Sequence, residues 1–348
     1  MDRRVRRQDS FGTNRKGLAV KGWTAHKKSF LLATLILGFL NWGQGAQGQE
    51  YPTRPITLII SFAPGAGTDV CGRALIQGAT KILGQEIVPV NKPGAGGAVG
   101  TGIVVHSKPD GYTLLATSTG ALTIIPHMEQ VTYDPVKDVI PIFQFGIVNT
   151  AIVVRSDSPH KSFQDLVGFA GQNPGKVSCG FVGVGMPPHL DIELLKMEKN
   201  VDISIIPFGG AVPTMTALLG GHITAAGVGA SAWMSHFKAG KVRVLATATE
   251  KRIVPDVPTL YELGYPYHGC SIELHIIAAP KGISSAVMKK LEGAFQKAAE
   301  TPEFRKSAES FYIYVSNPLS GQKLKEFIEN LHAKNGEIIR KAKLGSKL

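Results

Sequence analysis

Apolar residues along this chain follow two alternating spacings. ITLII (56–60) is an uninterrupted apolar run of strand length, as expected of a strand covered on both faces. A glycine-rich loop follows. Beyond it Val70, Cys71, Ala74, Leu75, Gly78 and Ile82 recur at helical intervals, which predicts a helix with Thr68 as its N-cap and Gly84 as its stop. EIVPVN (86–91) predicts a second strand, 98–107 a second helix, and DGYTLLAT (110–117) a third strand with STG (118–120) as the loop at its carboxyl end.

After VKDVIPIFQFG the alternation starts again. TAIVVR, KVSCG, VDISIIPF, HITAAGVG and KVRVLATA read as strands. SFQDLVGFAGQNPG, Pro187–Lys199 and AVPTMTALLGG read as helices between them. A strand-like stretch near 266–280 and helices over 285–300, 302–310 and 318–333 close the chain. This order fits an α/β protein with mixed, mostly parallel sheets. No polar linker interrupts 140–160, so two lobes joined by crossover strands are expected rather than a tandem pair of closed domains. Residues 49–150 with about 265–348 would form the first lobe, and 151–264 the second.

Ahead of this pattern, Lys27 and Lys28 precede the apolar run FLLATLILGFL and the small residues Ala46 and Gly48. That order reads as a secretory signal over 1–48 with an unusually long basic region, and its core is short for a membrane span. It predicts export to the periplasm by the general secretory route. It also reinterprets the net charge of +12, because residues 1–48 hold nine Lys/Arg against two Asp and leave only +5 to the rest. No basic block interleaved with aromatics remains, so nucleic acid is not an expected partner. Cys71, Cys179 and Cys270 are far apart, which excludes metal knuckles and leaves buried thiols or one long-range disulfide.

The loops at the carboxyl ends of the strands carry the candidate chemistry. In SFAPGAGTD (61–69) small residues before a helix start would expose backbone N–H groups to an anion. Asp69 falls in the first helical turn, either favoured by the helix dipole or orienting the loop and its ligand. CGFVGVGMPPH and PFGGAVP are two further strand-to-helix turns rich in glycine. His189 at the end of the first is either a pocket donor or a helix-start packing residue, whereas Asp191 and Glu193 look solvent-facing. GxxxxGK[ST] is absent and GAGTDV lacks the third glycine of a dinucleotide fingerprint, so no cofactor is expected. With no GxSxG elbow, HExxH pair or acid/base pair, catalysis and a metal site are not expected either.

The stretches YPTRPITLIISFAPGAGTD, VNKPGAGGAVG, KPDGYTLLATSTG, YDPVKD, NPGKVSCG, GGAVPTMTALLGG, VRVLATATEKR and PDVPTLYELG occur in the order found in the substrate-binding proteins of tripartite tricarboxylate transporters, the Bug or TctC family. The chain resembles that family from Tyr51 to its last helix. The resemblance implies a two-lobed protein of the type II periplasmic-binding class, monomeric, that captures an organic carboxylate and delivers it to a membrane permease of two integral subunits. A receptor feeding a sensor kinase, or an enzyme on the same scaffold, are the alternatives. Carried onto this chain, the ligand-binding positions are Phe62, Ala63, Gly65, Ala66, Gly67, Thr68 and Asp69, then Ser118, Thr119 and Gly120. From the second lobe they are Gly180, Phe181, Val184, His189, Phe208, Gly209, Gly210 and Ala211. Many members have PFPPGGGTD and a Ser/Thr-rich loop before the histidine; here Ser61, Ala63, Ala66, Val184, Met186, Pro187 and Pro188 stand instead. Fewer hydroxyls imply a more apolar ligand body than citrate, such as an aromatic or branched carboxylate.

Overall fold

The computed structural model describes residues 51–345 except Glu250, 266–271 and Ser316, so the leader-like segment and Cys270 lie outside the described residues. Two sheets organise the rest. The first runs β11-β4-β10-β3-β1-β2, from β1 (Ile56–Ile60), β2 (Ile87–Asn91), β3 (Thr113–Ser118), β4 (Val139–Val148), β10 (Glu273–Pro280) and β11 (Ile313–Tyr314). The second runs β7-β6-β8-β5-β9, from β5 (Thr150–Arg155), β6 (Val177–Phe181), β7 (Ile203–Pro207), β8 (Ala225–Gly229) and β9 (Val242–Thr247).

The chain crosses between the sheets twice. Asn149 separates β4 from β5, and the return runs from β9 to β10. Each crossing enters the other sheet reversed: β10 is antiparallel to both β3 and β4, and β5 to both β8 and β9. The strands β1 to β4 share one direction, as do β6 to β9, so both sheets are mixed and mostly parallel. The molecule is bilobed, with one α/β layer set around each sheet.

The helices follow the expected order, with several differences. α1 (Gly67–Leu83) turns Leu75, Ile76 and Ala79 inward and stops at Gly84, whose φ of 70° is the left-handed geometry glycine accepts readily. Its N-cap is Ala66 rather than Thr68, which lies inside the first turn, and Ile82 is exposed. α2 (Ala98–Val105), the single turns α3 (Gly120–Thr123) and α4 (Ile125–Met128), α5 (Phe163–Gln172), α6 (Pro187–Lys199) and α7 (Ala211–Leu219) come next. The Ser162 hydroxyl accepts the Asp165 amide while Asp165 accepts that of Ser162, a reciprocal cap that starts α5. α8 (Ala230–Lys238) is a helix that periodicity did not predict, because only Trp233 and Met234 among its longer side chains are buried. α9 (Ser285–Ala299), α10 (Pro302–Ser310) and α11 (Gly321–Lys341) finish the chain, the last starting three residues later and running eight residues beyond the expected 318–333.

That added length reaches across the molecule. Ile338 and Ile339 of α11 join Ile124 and Met128 beside the first sheet and Leu190 of α6 beside the second in one apolar cluster. The carboxyl ends of the two sheets converge here and at the crossover. Gly185, after β6, sits against Met128, and the Ala230 amide at the start of α8 donates to Asn149 O at 2.7 Å.

Two glycines permit close packing. A Cβ on Gly78 would lie 3.0 Å from Ala298, so α1 and α9 cross at near contact. One on Gly227 of β8 would meet Phe181 at 2.5 Å and Pro188 at 2.8 Å. Gly227→Ala is expected to cost about 1–3 kcal/mol by overpacking, lowering Tm in thermal denaturation by several degrees. An unchanged Tm would show that Phe181 and Pro188 can retreat freely.

Candidate functional site

The loop between β1 and α1 is held open by one carboxylate. Asp69, 3% exposed, accepts the Gly65 amide at 2.9 Å on Oδ2, and on Oδ1 takes Arg73 Nε and Asn91 Nδ2, each at 2.8 Å. Arg73 Nη2 donates to Asn91 Oδ1 at 2.7 Å, and Asn91 Nδ2 also donates to Phe62 O at 3.0 Å, which closes the network back onto the loop. Burial alone would raise the Asp69 pKa; the donors Asn91, Gly65 and Arg73 outweigh it and hold the carboxyl below its usual range. Asp69 therefore shapes the loop through its own bonds. Sequence spacing could have found Arg73, four residues on along the helix, but not Asn91, which β2 brings in.

What the network leaves open is the start of α1. Its first amides, Gly67, Thr68 and Asp69, precede the first intrahelical bond, and Ala66 supplies no side-chain cap. Among the described residues no backbone acceptor pairs with them. Ala63 and Gly65 are exposed, and Phe62, Ala66 and Gly67 half-buried. Three amides aligned with a helix dipole and left without acceptors favour an anion.

Behind them lie β3 and β10. Thr119 ties these strands, its amide donating to Leu274 O at 2.9 Å and its hydroxyl accepting the Leu274 amide at 3.0 Å. Ser118 stands opposite His275 in register, so both side chains and that of Glu273 project from the same face. A Cβ on Gly67 would lie 3.4 Å from His275 Cε1, which puts the ring beneath the amide loop. Burial pushes the imidazole down to about 4, so it is neutral at neutral pH and adds no charge. Gly120 borders Glu273: a Cβ there would be 3.8 Å from Glu273 Oε1. The sequence reading passed over Glu273, although a lone carboxylate opening the apolar run ELHIIAAP is a visible signal.

The second lobe offers fewer donors. Pro187 and Pro188 remove the first two amides of α6, and the His189 amide donates to Met186 O at 2.9 Å. His189 is 2% exposed: its Nδ1 accepts the Gly185 amide at 2.8 Å and its Nε2 lies 3.5 Å from Glu193 Oε1. Its imidazole thus ties down the loop before α6. Asp191 is buried and Glu193 largely so, contrary to their expected exposure, because this face of α6 turns toward the sheet and α11. Phe181 is fully buried and Gly180 packs under Ile223 and Phe208, so neither side-chain position reaches the convergence. Gly209, Gly210 and Ala211 lead into α7 without a side-chain cap, with Phe208 half-buried beside them. Val184 and Val212 are the exposed apolar side chains of these loops, at 50% and 78%.

Cys71 and Cys179 are buried free thiols. Among the described residues no three His, Cys, Asp or Glu side chains gather to hold a metal, and no helix is long and apolar enough to cross a membrane. Two shallow hollows flank helices, one along Val99 and Ile103 of α2 and one along Ile76 and Thr80 of α1 that reaches Arg73 of the Asp69 network.

Two lobes with matching strand order, two crossings, and uncapped helix starts at the converging strand ends define a type II periplasmic-binding protein, a receptor that holds a solute without transforming it. The particular lineage is equally plain. Residues 71–344 match the tripartite tricarboxylate transporter family receptor, TctC, and the chain belongs to that family. It is a non-catalytic receptor of the periplasm. A TctC solute-binding protein from Polaromonas is similar, at 32% identity and TM-score 0.74, covering 84% of this chain and 99% of that one. Two proteins of Rhodopseudomonas palustris, each 25% identical, also align. One was solved with adipate (TM-score 0.71, 85% of this chain and 99% of that one). The other is MatC with bound malate (TM-score 0.68, 83% of this chain and 100% of that one).

Proposed function

We propose that this receptor captures a small organic carboxylate between its lobes, 49–150 with about 265–348 on one side and 151–264 on the other. Its carboxylate rests on the amides of Gly67, Thr68 and Asp69. Phe62, Ala63, Gly65, Ala66, Ser118, Thr119 and Gly120 complete the first wall. Val184, Phe208, Gly209, Gly210 and Ala211 contribute the second, Gly180 and Phe181 back it from the buried side, and His189 holds its loop in shape. The receptor acts as a monomer and hands its solute to a permease of two integral subunits.

The observation that carries this reading is the uncapped start of α1 beside the Asp69 network. Relatives that hold adipate and malate point to the same solute class. The exposed Val184 and Val212 and the paired prolines of α6 favour a ligand body more apolar than citrate, such as an aromatic or branched acid. Closure follows because the ligand gains contacts from both lobes only when they meet.

Thermal denaturation of the ligand-free receptor with carboxylates and their amides tests it. A carboxylate at about 100 times its Kd is expected to add roughly 2.7 kcal/mol and raise Tm by several degrees, whereas the matching amide is expected to give little or no shift. Equal shifts from acid and amide would remove the anion grip.

A further inference from the structure

The grip for a carboxylate has an acid beside it. Glu273 opens β10, paired with Val148 at the crossover, and its side chain shares a face with Ser118 and with His275, whose ring underlies Gly67. Two residues along a strand span about 7 Å, so the Glu273 carboxyl and the α1 amides stand within the length of one small molecule. Glu273 is half-buried, and among the described residues no Lys, Arg or His forms an ion pair with it. Burial pushes its pKa up, and hydrogen bonding from Ser118 only partly offsets this.

A carboxylate accepts about four hydrogen bonds, and among the described residues Ser118 supplies one. Bringing a second ligand carboxylate here would set like charges together in a poorly solvated site. A cation would meet the unfilled acceptors and restore the ionised form. Val184 and Val212, exposed on the second lobe, would give such a ligand an apolar wall when the lobes meet.

We infer that Glu273 is a specificity-determining residue that selects carboxylates carrying an ammonium group, so that the preferred solute is an amino acid with an aromatic or branched body rather than a plain dicarboxylate. This rests on the carboxylate reading above and adds a second contact to it. The ligand's carboxylate caps α1 while its ammonium donates to Glu273.

Matched probes separate the two contacts. The ligand-free receptor is titrated calorimetrically with L-phenylalanine, 3-phenylpropanoate, L-leucine, 4-methylpentanoate, glutarate and 2-phenylethylamine, then again as Glu273→Gln. The amino acids are expected to bind more than tenfold tighter than the plain acids of the same body. Glu273→Gln is expected to shrink that gap, the amino acids weakening and the plain acids gaining, with the variant's Tm close to that of the parent. Plain acids or glutarate binding as tightly as the amino acids would overturn the inference, as would a folded receptor that takes none of the amino acids, or a gap that survives Glu273→Gln. If 2-phenylethylamine, which has no carboxylate, binds as well as L-phenylalanine, the carboxylate grip is what fails.

Discussion

Gly67→Pro is expected to weaken carboxylate binding roughly ten- to a hundredfold while the fold remains intact. Proline at the first helical position removes one N–H that no helical bond uses, and its fixed φ suits a helix start. Ala66 already has φ −66° and ψ 156°, the extended geometry a residue before proline needs. The nearest atoms to a new Cβ are Ile313 Cδ1 at 3.1 Å and His275 Cε1 at 3.4 Å, the former a side-chain tip able to give by a few tenths of an ångström. Losing a hydrogen bond to a charged group costs about 1.5–3 kcal/mol, which sets the expected fold-change. Gly67→Ala adds the same Cβ but keeps the N–H, so it controls for crowding. Calorimetric titration of both variants decides: equal affinities would mean that the Gly67 amide does not touch the ligand.

Asp69→Ala is expected to damage stability and binding together. The substitution leaves the Gly65 amide, the Asn91 amide and Arg73 without their shared acceptor in a largely buried network. Because Arg73 is 41% exposed and recovers water, the cost is about 2–4 kcal/mol, less than for a fully buried pair, and Tm falls on the order of 10 °C. Affinity falls more than tenfold because the loop loses the shape that presents the α1 amides. The pH dependence has a definite sign. Since the folded carboxyl titrates below its ordinary range, the contribution of Asp69 is complete above that range and fades as pH drops through the folded pKa. The parent and Asp69→Ala should therefore differ most near neutrality and converge in strong acid. A constant gap down to low pH would sink this account.

The alternation of strands and helices was legible in the chain because buried parallel strands show as continuous apolar runs and the helices between them keep a 3.6-residue stripe. Pro187–Lys199 and the loop after β1 could be read to within a residue or two from proline and glycine alone. Periodicity failed where burial is slight, as in α8, or where a distant part of the chain covers a helix, as at Asp191 of the otherwise well-read α6 and the end of α11.

By itself, then, the sequence determined the α/β class, the glycine loops at the strand ends, and the absence of nucleotide and catalytic motifs, all set by local spacing. Only the tertiary structure decided which groups those loops leave unpaired. Asp69 is bound by Asn91 from another strand, and His189 is turned inward to hold Gly185. Glu273 reaches the site only because β10 returns from the second crossing to lie reversed between β3 and β4. The strand pairing joins residues about 160 positions apart, and hydrogen bonds across such distances follow from packing geometry that no local pattern encodes.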